Sequence, residues 1–148
     1  MAAIAASGEA FAAYIESLST EAFHRRPEPE AWSAAELSGH VVEFPVTFAR
    51  QCAVVAAEPG RAIGRNLDDP GRLAAIRTLQ GRGPAEAAAA IRATMAVAVE
   101  TLRNIPAAGW EAVGRQPDGS DVAVRVIAEW RIAGHLVMHL EQARVAAG

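Results

Sequence analysis

Three of the four histidines in this chain fall where helical geometry could bring them to one point. His135 and His139 lie four residues apart in the stretch Trp130-Arg-Ile-Ala-Gly-His-Leu-Val-Met-His-Leu-Glu-Gln142. A helical spacing of four sets both rings on one face with Cβ atoms about 5–6 Å apart, near enough for two imidazoles to share a divalent ion. His40 stands about two turns into another predicted helix, behind Trp32-Ser-Ala-Ala-Glu36. Two facing helices that supply two imidazoles and one make a three-histidine site with open positions, the layout a catalytic metal needs. The competing reading of His40 is a buried core histidine with a hydrogen-bond partner and no ligand. His24 sits in a polar connector and reads as solvated.

The neighbours of the triad carry their own alternatives. Leu136, Val137 and Met138 separate the paired histidines, so the glutamate of an H-E-x-x-H protease is missing. Glu43, one turn past His40, could orient an imidazole N–H, act as a base on an activated water, or stand as a solvated charge. Arg131, one turn before His135, could hold a substrate carboxylate or pair with Glu129 or Asp121. Gln142 follows His139 by one turn and either bonds a ligand water or packs at the bundle end. Cys52 lies about three turns beyond His40, roughly 18 Å along the axis, and reads as a core thiol.

Four helical patterns position these residues. The first runs from about Ala3 to Leu18 with Ile4, Phe11, Ile15 and Leu18 as its stripe. The second opens on a full start signal: Ser33 as N-cap, Glu36 closing a capping box, and Trp32 with Leu37 as a hydrophobic staple. Its apolar face continues through Val41, Phe44, Phe48 and Val55. From Pro59 to Gly83 a long connection rich in Gly, Pro, Arg and Asp has a short helix at Arg72 to Leu79 and is of the kind that crosses a bundle or lids a site. The third helix begins at Pro84 and ends near Asn104, with Ile91, Met95, Val99 and Leu102 inward. Ile105 to Gly119 reads as a loop with a Pro117-Asp-Gly119 turn. The fourth helix is expected from Asp121 to about Ala146. The alternation of Val122, Val124 and Val126 is also compatible with a short strand, but the stretch free of Gly and Pro up to Gly134 favours helix.

At 148 residues the chain is one domain, 1–148, able to bury a core without disulfide or structural metal. Abundant Ala with few aromatics favours close-packed helices, so the fold class is all-α, a four-helix bundle. A net charge of −3 with scattered basic residues argues against nucleic acid and anionic membrane as partners. All 14 basic residues are Arg, which excludes a Schiff-base lysine, a Walker A lysine and a Ser/Lys dyad. One cysteine forms no internal disulfide, and neither a basic leader nor an apolar run of about 18 residues is present, so the cytoplasm is the expected compartment.

Trp32-Ser-Ala-Ala-Glu-Leu-Ser-Gly-His40 resembles the W-S-x-x-E-x-x-x-H signature of the DinB/YfiT-like superfamily. His135-Leu-Val-Met-His-Leu-Glu-Gln142 resembles its closing H-x-x-x-H-x-x-Q, and the likeness covers nearly the whole chain. The resemblance implies a four-helix bundle with a three-histidine divalent-metal site, with His40, His135 and His139 as ligands, and a homodimer. The exposed apolar surface of Ala-rich helices supports the dimer as well. It also implies a metal-dependent enzyme in which a low-molecular-weight thiol cosubstrate is activated for transfer to, or isomerisation of, a small-molecule electrophile. Metal-assisted hydrolysis by hydroxide, and a non-catalytic stress or binding protein, are the alternatives. Imidazole ligands leave Zn, Ni, Fe and Mn open.

Overall fold

The computed structural model describes residues 1–148. Helix α1 spans Ala2–Glu16, the short α2 Thr20–His24, α3 Ala34–Ala57, α4 Pro70–Ala75 and α5 Pro84–Arg103. A 3-10 turn at Ala107–Glu111 leads into strands β1, Val113–Arg115, and β2, Asp121–Ala123. The last helix is continuous but changes type: α6 covers Val124–Val126, a π-helical segment Ile127–Gly134, and α7 His135–Ala147. The fold is all-α apart from this hairpin. No helix is long and apolar enough to cross a membrane.

The four long helices close on one another in a ring. α1 packs on α5, α5 on α3, α3 on the C-terminal helix, and that helix back on α1. Alanines at the contacts, among them Ala12, Ala49, Ala88, Ala98 and Ala143, are buried and let the axes approach closely. The apolar side chains of all four helices merge into one core, filled by Phe11, Ile15, Phe44, Ile91, Leu102 and Leu136.

The start of α3 matches its sequence signal. Ser33 accepts from the Glu36 N–H at 3.2 Å, and the Glu36 carboxylate takes the Ser33 N–H at 2.9 Å, so two otherwise orphaned donors are satisfied. Arg26 pairs with the other Glu36 oxygen. Every residue from Ser33 to Val41 is buried, a pattern no amphipathic stripe predicts. The cover on the outward side is α4. Its last carbonyls lie directly on Gly39, where a Cβ would collide with the Ala75 oxygen and sit 3.0 Å from that of Ile76.

The Pro59–Gly83 connection is held in two places. Gln51 of α3 clamps Gly64 through both its amide atoms, accepting from the Gly64 N–H at 2.8 Å and donating to its carbonyl at 3.2 Å. The Ile63 N–H donates to the Arg115 carbonyl and the Arg115 N–H to that of Arg61, which seats Ala62 beside β1. The short helix begins earlier than the sequence pattern indicates, at Pro70, because Asp69 caps it by accepting from the Arg72 N–H at 2.9 Å.

The fourth helix does not begin at Asp121, and Ile105 to Gly119 is not all loop. Residues 121–123 pair antiparallel with 113–115 in the register Val113↔Ala123, Gly114↔Val122, Arg115↔Asp121. The hairpin wins locally because Gly119 takes a φ of +82° in the turn, and because Gly114 has no Cβ to meet the Ile63 side chain at 2.6 Å. Of the alternating valines only Val122 lies in a strand, while Val124 and Val126 are helical, so the helix starts three residues later than expected, at Val124.

Two substitutions on α3 separate cap from cover. Ser33→Ala is expected to lower unfolding free energy by about 1 kcal/mol in denaturant titration, the usual size of a lost N-cap. Gly39→Ala should cost about 1–3 kcal/mol, the scale of an overpacked contact, and should also expose α4 to proteolysis, which Ser33→Ala should not.

Candidate metal centre

The three histidines meet. His40 comes from the second turn of α3, His135 and His139 from the first and second turns of α7. Their ring centroids are 5.5 Å apart for His40–His135, 5.0 Å for His40–His139 and 4.4 Å for His135–His139. One potential ligand atom from each ring lies within 4.8 Å of the others. Phe44, fully buried, lies against all three, with centroids at 5.0, 4.6 and 5.9 Å. Trp32 lies edge-on to His40 at 5.6 Å and stacked on His139 at 6.4 Å, so the triad has an aromatic wall on each side.

The chemistry of the donor set fits a cation. In the whole protein only three buried side-chain nitrogens or oxygens have no hydrogen-bond partner, and they are Nδ1 of His40, Nδ1 of His135 and Nε2 of His139. A buried polar atom without a partner costs about 1–3 kcal/mol, so three in one place mark a site that expects an electron-pair acceptor. Burial, first of all, pushes His40 down to about 3 and His135 down to about 4, with the neighbouring imidazoles and arginine charges adding to it and, at His135, the Arg131 backbone opposing it. His139 moves in the same direction, again through burial, opposed by its bond to Gln142. All three rings are therefore neutral at pH 7, the protonation state that ligation requires.

The positions of the flanking residues resolve several alternatives. Gln142 Oε1 lies 2.6 Å from His139 Nδ1. An amide oxygen accepts, so Nδ1 carries the proton and Nε2 presents its lone pair to the centre. Glu43 makes no hydrogen bond to any of the three rings. Both its oxygens accept from Arg65, at 2.5 Å each, and Thr47 donates to one of them. Arg131 is exposed and pairs with neither Glu129 nor Asp121, which is joined to Arg115 at 3.0 Å. His24 is exposed, its Nε2 3.0 Å from the Arg82 carbonyl. Cys52 is fully buried in the core and its thiol is pushed up to about 12 by that burial.

The triad opens into a cleft of about 910 Å³. Trp32, Leu37, Phe48, Met138 and Val145 supply its apolar wall, and Arg65, Asn66, Leu67 and Arg72 of the long connection lie across it. Arg65, Arg72 and the wall role of Trp32 escape the sequence pattern. The one hint was composition, since the connection is rich in Arg, Gly and Asp, but nothing in one dimension tells which Arg turns inward.

The π-helical segment explains how His135 is aimed. The His135 N–H reaches back five residues to the Trp130 carbonyl. Ile127 and Ile132 are both buried although five apart, a spacing that places side chains about 140° apart on an α-helix. The wider π turns keep both inward and deliver the His135/His139 face to α3.

A family model described as the DinB superfamily matches residues 3–143. The chain belongs to the DinB superfamily. No curated protein and no solved structure matches it. Within this DinB member the three signature histidines are the three that converge.

Two outcomes follow from the geometry. Gln142→Ala should weaken divalent-metal affinity about 10- to 100-fold by titration against a chelator, as losing a ligand's orienting partner typically does. In metal-free protein the imidazoles stay neutral when folded but protonate near their ordinary 6.5 when unfolded. Unfolding then takes up protons, so the melting temperature of metal-free protein should fall as pH drops from 6.5 toward 4. The slope should flatten in His40→Ala with His135→Ala.

Proposed function

We propose that this DinB protein is a metal-dependent enzyme in which His40, His135 and His139 hold one divalent ion and a low-molecular-weight thiol is activated for transfer to, or isomerisation of, a small electrophile. The observation that carries the reading is the set of three buried, unpartnered imidazole nitrogens at the floor of a roomy cleft. An ion bound there would lower the pKa of a thiol or water placed on it and stabilise charge on the reacting atoms.

A thiol suits the surroundings better than water does. A thiol ordinarily titrates at about 8.5 and needs only a small push to ionise at neutral pH, whereas water starts at about 15.7 and benefits from a nearby base. The carboxylate best placed in sequence for that base, Glu43, is occupied by Arg65 and Thr47. Its role in this reading is to fix Arg65 against the cleft wall. Trp32 and Phe44 pack against the rings, and Gln142 keeps the His139 tautomer.

Elemental analysis should find about one divalent ion per chain, lost in the His135→Ala, His139→Ala double variant with helical circular dichroism retained. Full occupancy in that variant would refute the ligand assignment. Metal-loaded protein should accelerate consumption of cysteine or glutathione by 1-chloro-2,4-dinitrobenzene, and His40→Ala should abolish the effect. Release of acid from 4-nitrophenyl acetate without thiol turnover would instead favour the hydrolase reading, and metal binding with neither reaction a binding role.

A further inference from the structure

The cleft over the triad is lined by three guanidinium groups in different states of satisfaction. Arg65 is neutralised: Glu43 grips it on two nitrogens and Asp69 stands at 3.8 Å. Arg72 has no carboxylate partner. Its only side-chain hydrogen bond runs from Nη1 to the Leu67 carbonyl at 2.8 Å, and its plane is carried 5.2 Å over the Trp32 ring. The Nε and Nη2 donors, one edge of the fork, are left over. The Arg131 side chain is exposed at the cleft rim and forms no ion pair, and its charge is felt by Asp118 and His135. Of the two carboxylates on the cleft rim, Glu141 is paired with Arg144 and Glu30 is exposed. A centre built from three neutral imidazoles brings no negative charge of its own.

From this arrangement we infer that the electrophilic substrate is a carboxylate with an apolar body, its carboxylate anchored by Arg72 and Arg131 and its body lying along the Trp32, Leu37 and Phe48 wall. The inference rests on the proposed function for the reacting centre but adds the substrate class. A free guanidinium edge matches a carboxylate in two parallel hydrogen bonds, which a lysine ammonium cannot reproduce. Stacking on Trp32 holds that edge in place before the ligand arrives, so little side-chain entropy is lost on binding. Arg72 stands on α4, which rests on Gly39, and Arg131 lies in the π-helical segment that leads into His135.

The test is equilibrium binding to the full chain by tryptophan fluorescence, with phenylacetate and its neutral isostere phenylacetamide as probes. Each is measured with zinc bound and after chelation. Phenylacetate is expected to bind about tenfold tighter than phenylacetamide, the scale of a charged hydrogen bond. That preference should shrink about tenfold in Arg72→Gln and in Arg131→Gln, and only partly in Arg72→Lys. Inorganic phosphate should compete poorly, since it has no apolar body. Equal binding of acid and amide, or phosphate competing as well as phenylacetate, would overturn the inference. A preference abolished by chelation but untouched in both arginine variants would place the carboxylate on the ion, refuting the arginine anchor while leaving the metal reading intact. A preference that survives chelation and falls in the arginine variants supports the anchor whatever the metal analysis returns.

Discussion

Burying an imidazole nitrogen without a partner costs about 1–3 kcal/mol, and this fold does so three times within one small volume. Most of the unusual local structure surrounds that cost. The first two turns of α3 are buried on every side, the C-terminal helix changes from π to α just where His135 emerges, and aromatic rings close the triad from two directions. Each feature buries the rings, and burial favours their neutral form. A bound cation would satisfy all three free nitrogens at once.

Stability and site are carried by different parts of the bundle. α1 and α5 contribute none of the cleft residues, yet their packing on each other and on α3 supplies much of the core. The ion pairs of Arg92 with Glu9 and Glu16 tie these two helices at the surface, where their screened charges add little. α3 and α7 are thereby left free to carry polar groups at positions where a core would ordinarily place Leu or Val. A helix-borne site of this kind holds its ligands to closer tolerance than a loop-borne one.

The long connection contributes charge. Arg65 and Arg72 enter the cleft from the same short stretch but differ in what holds them, one locked by a carboxylate and one by an aromatic face. Arg72 adds positive potential to a centre made of neutral ligands, and both arginines depend on contacts distant in sequence. Gln51 pins Gly64, β1 pins Ile63, and Gly39 admits α4.

The local signals in the sequence were sufficient for much of this. Ser33 and Glu36 specify the start of α3, and with it the rotation of His40, through bonds made within four residues. The spacing of four puts His135 and His139 on one face, and the apolar stripes of α1, α3 and α5 designate their buried sides. Such features depend on near neighbours, so one dimension contains them. What the tertiary structure alone decided involves partners far apart in the chain. Val122 joins a strand because Gly114 can lie on Ile63, and the last helix widens to π turns to keep Ile127 and Ile132 both in the core. Glu43 goes to Arg65, twenty-two residues away, when its nearest histidine was one turn off. Arg72 becomes part of the cleft because a missing Cβ at Gly39 lets one helix rest on another. Competition among such long-range contacts is settled by packing, and no residue's own type records its outcome.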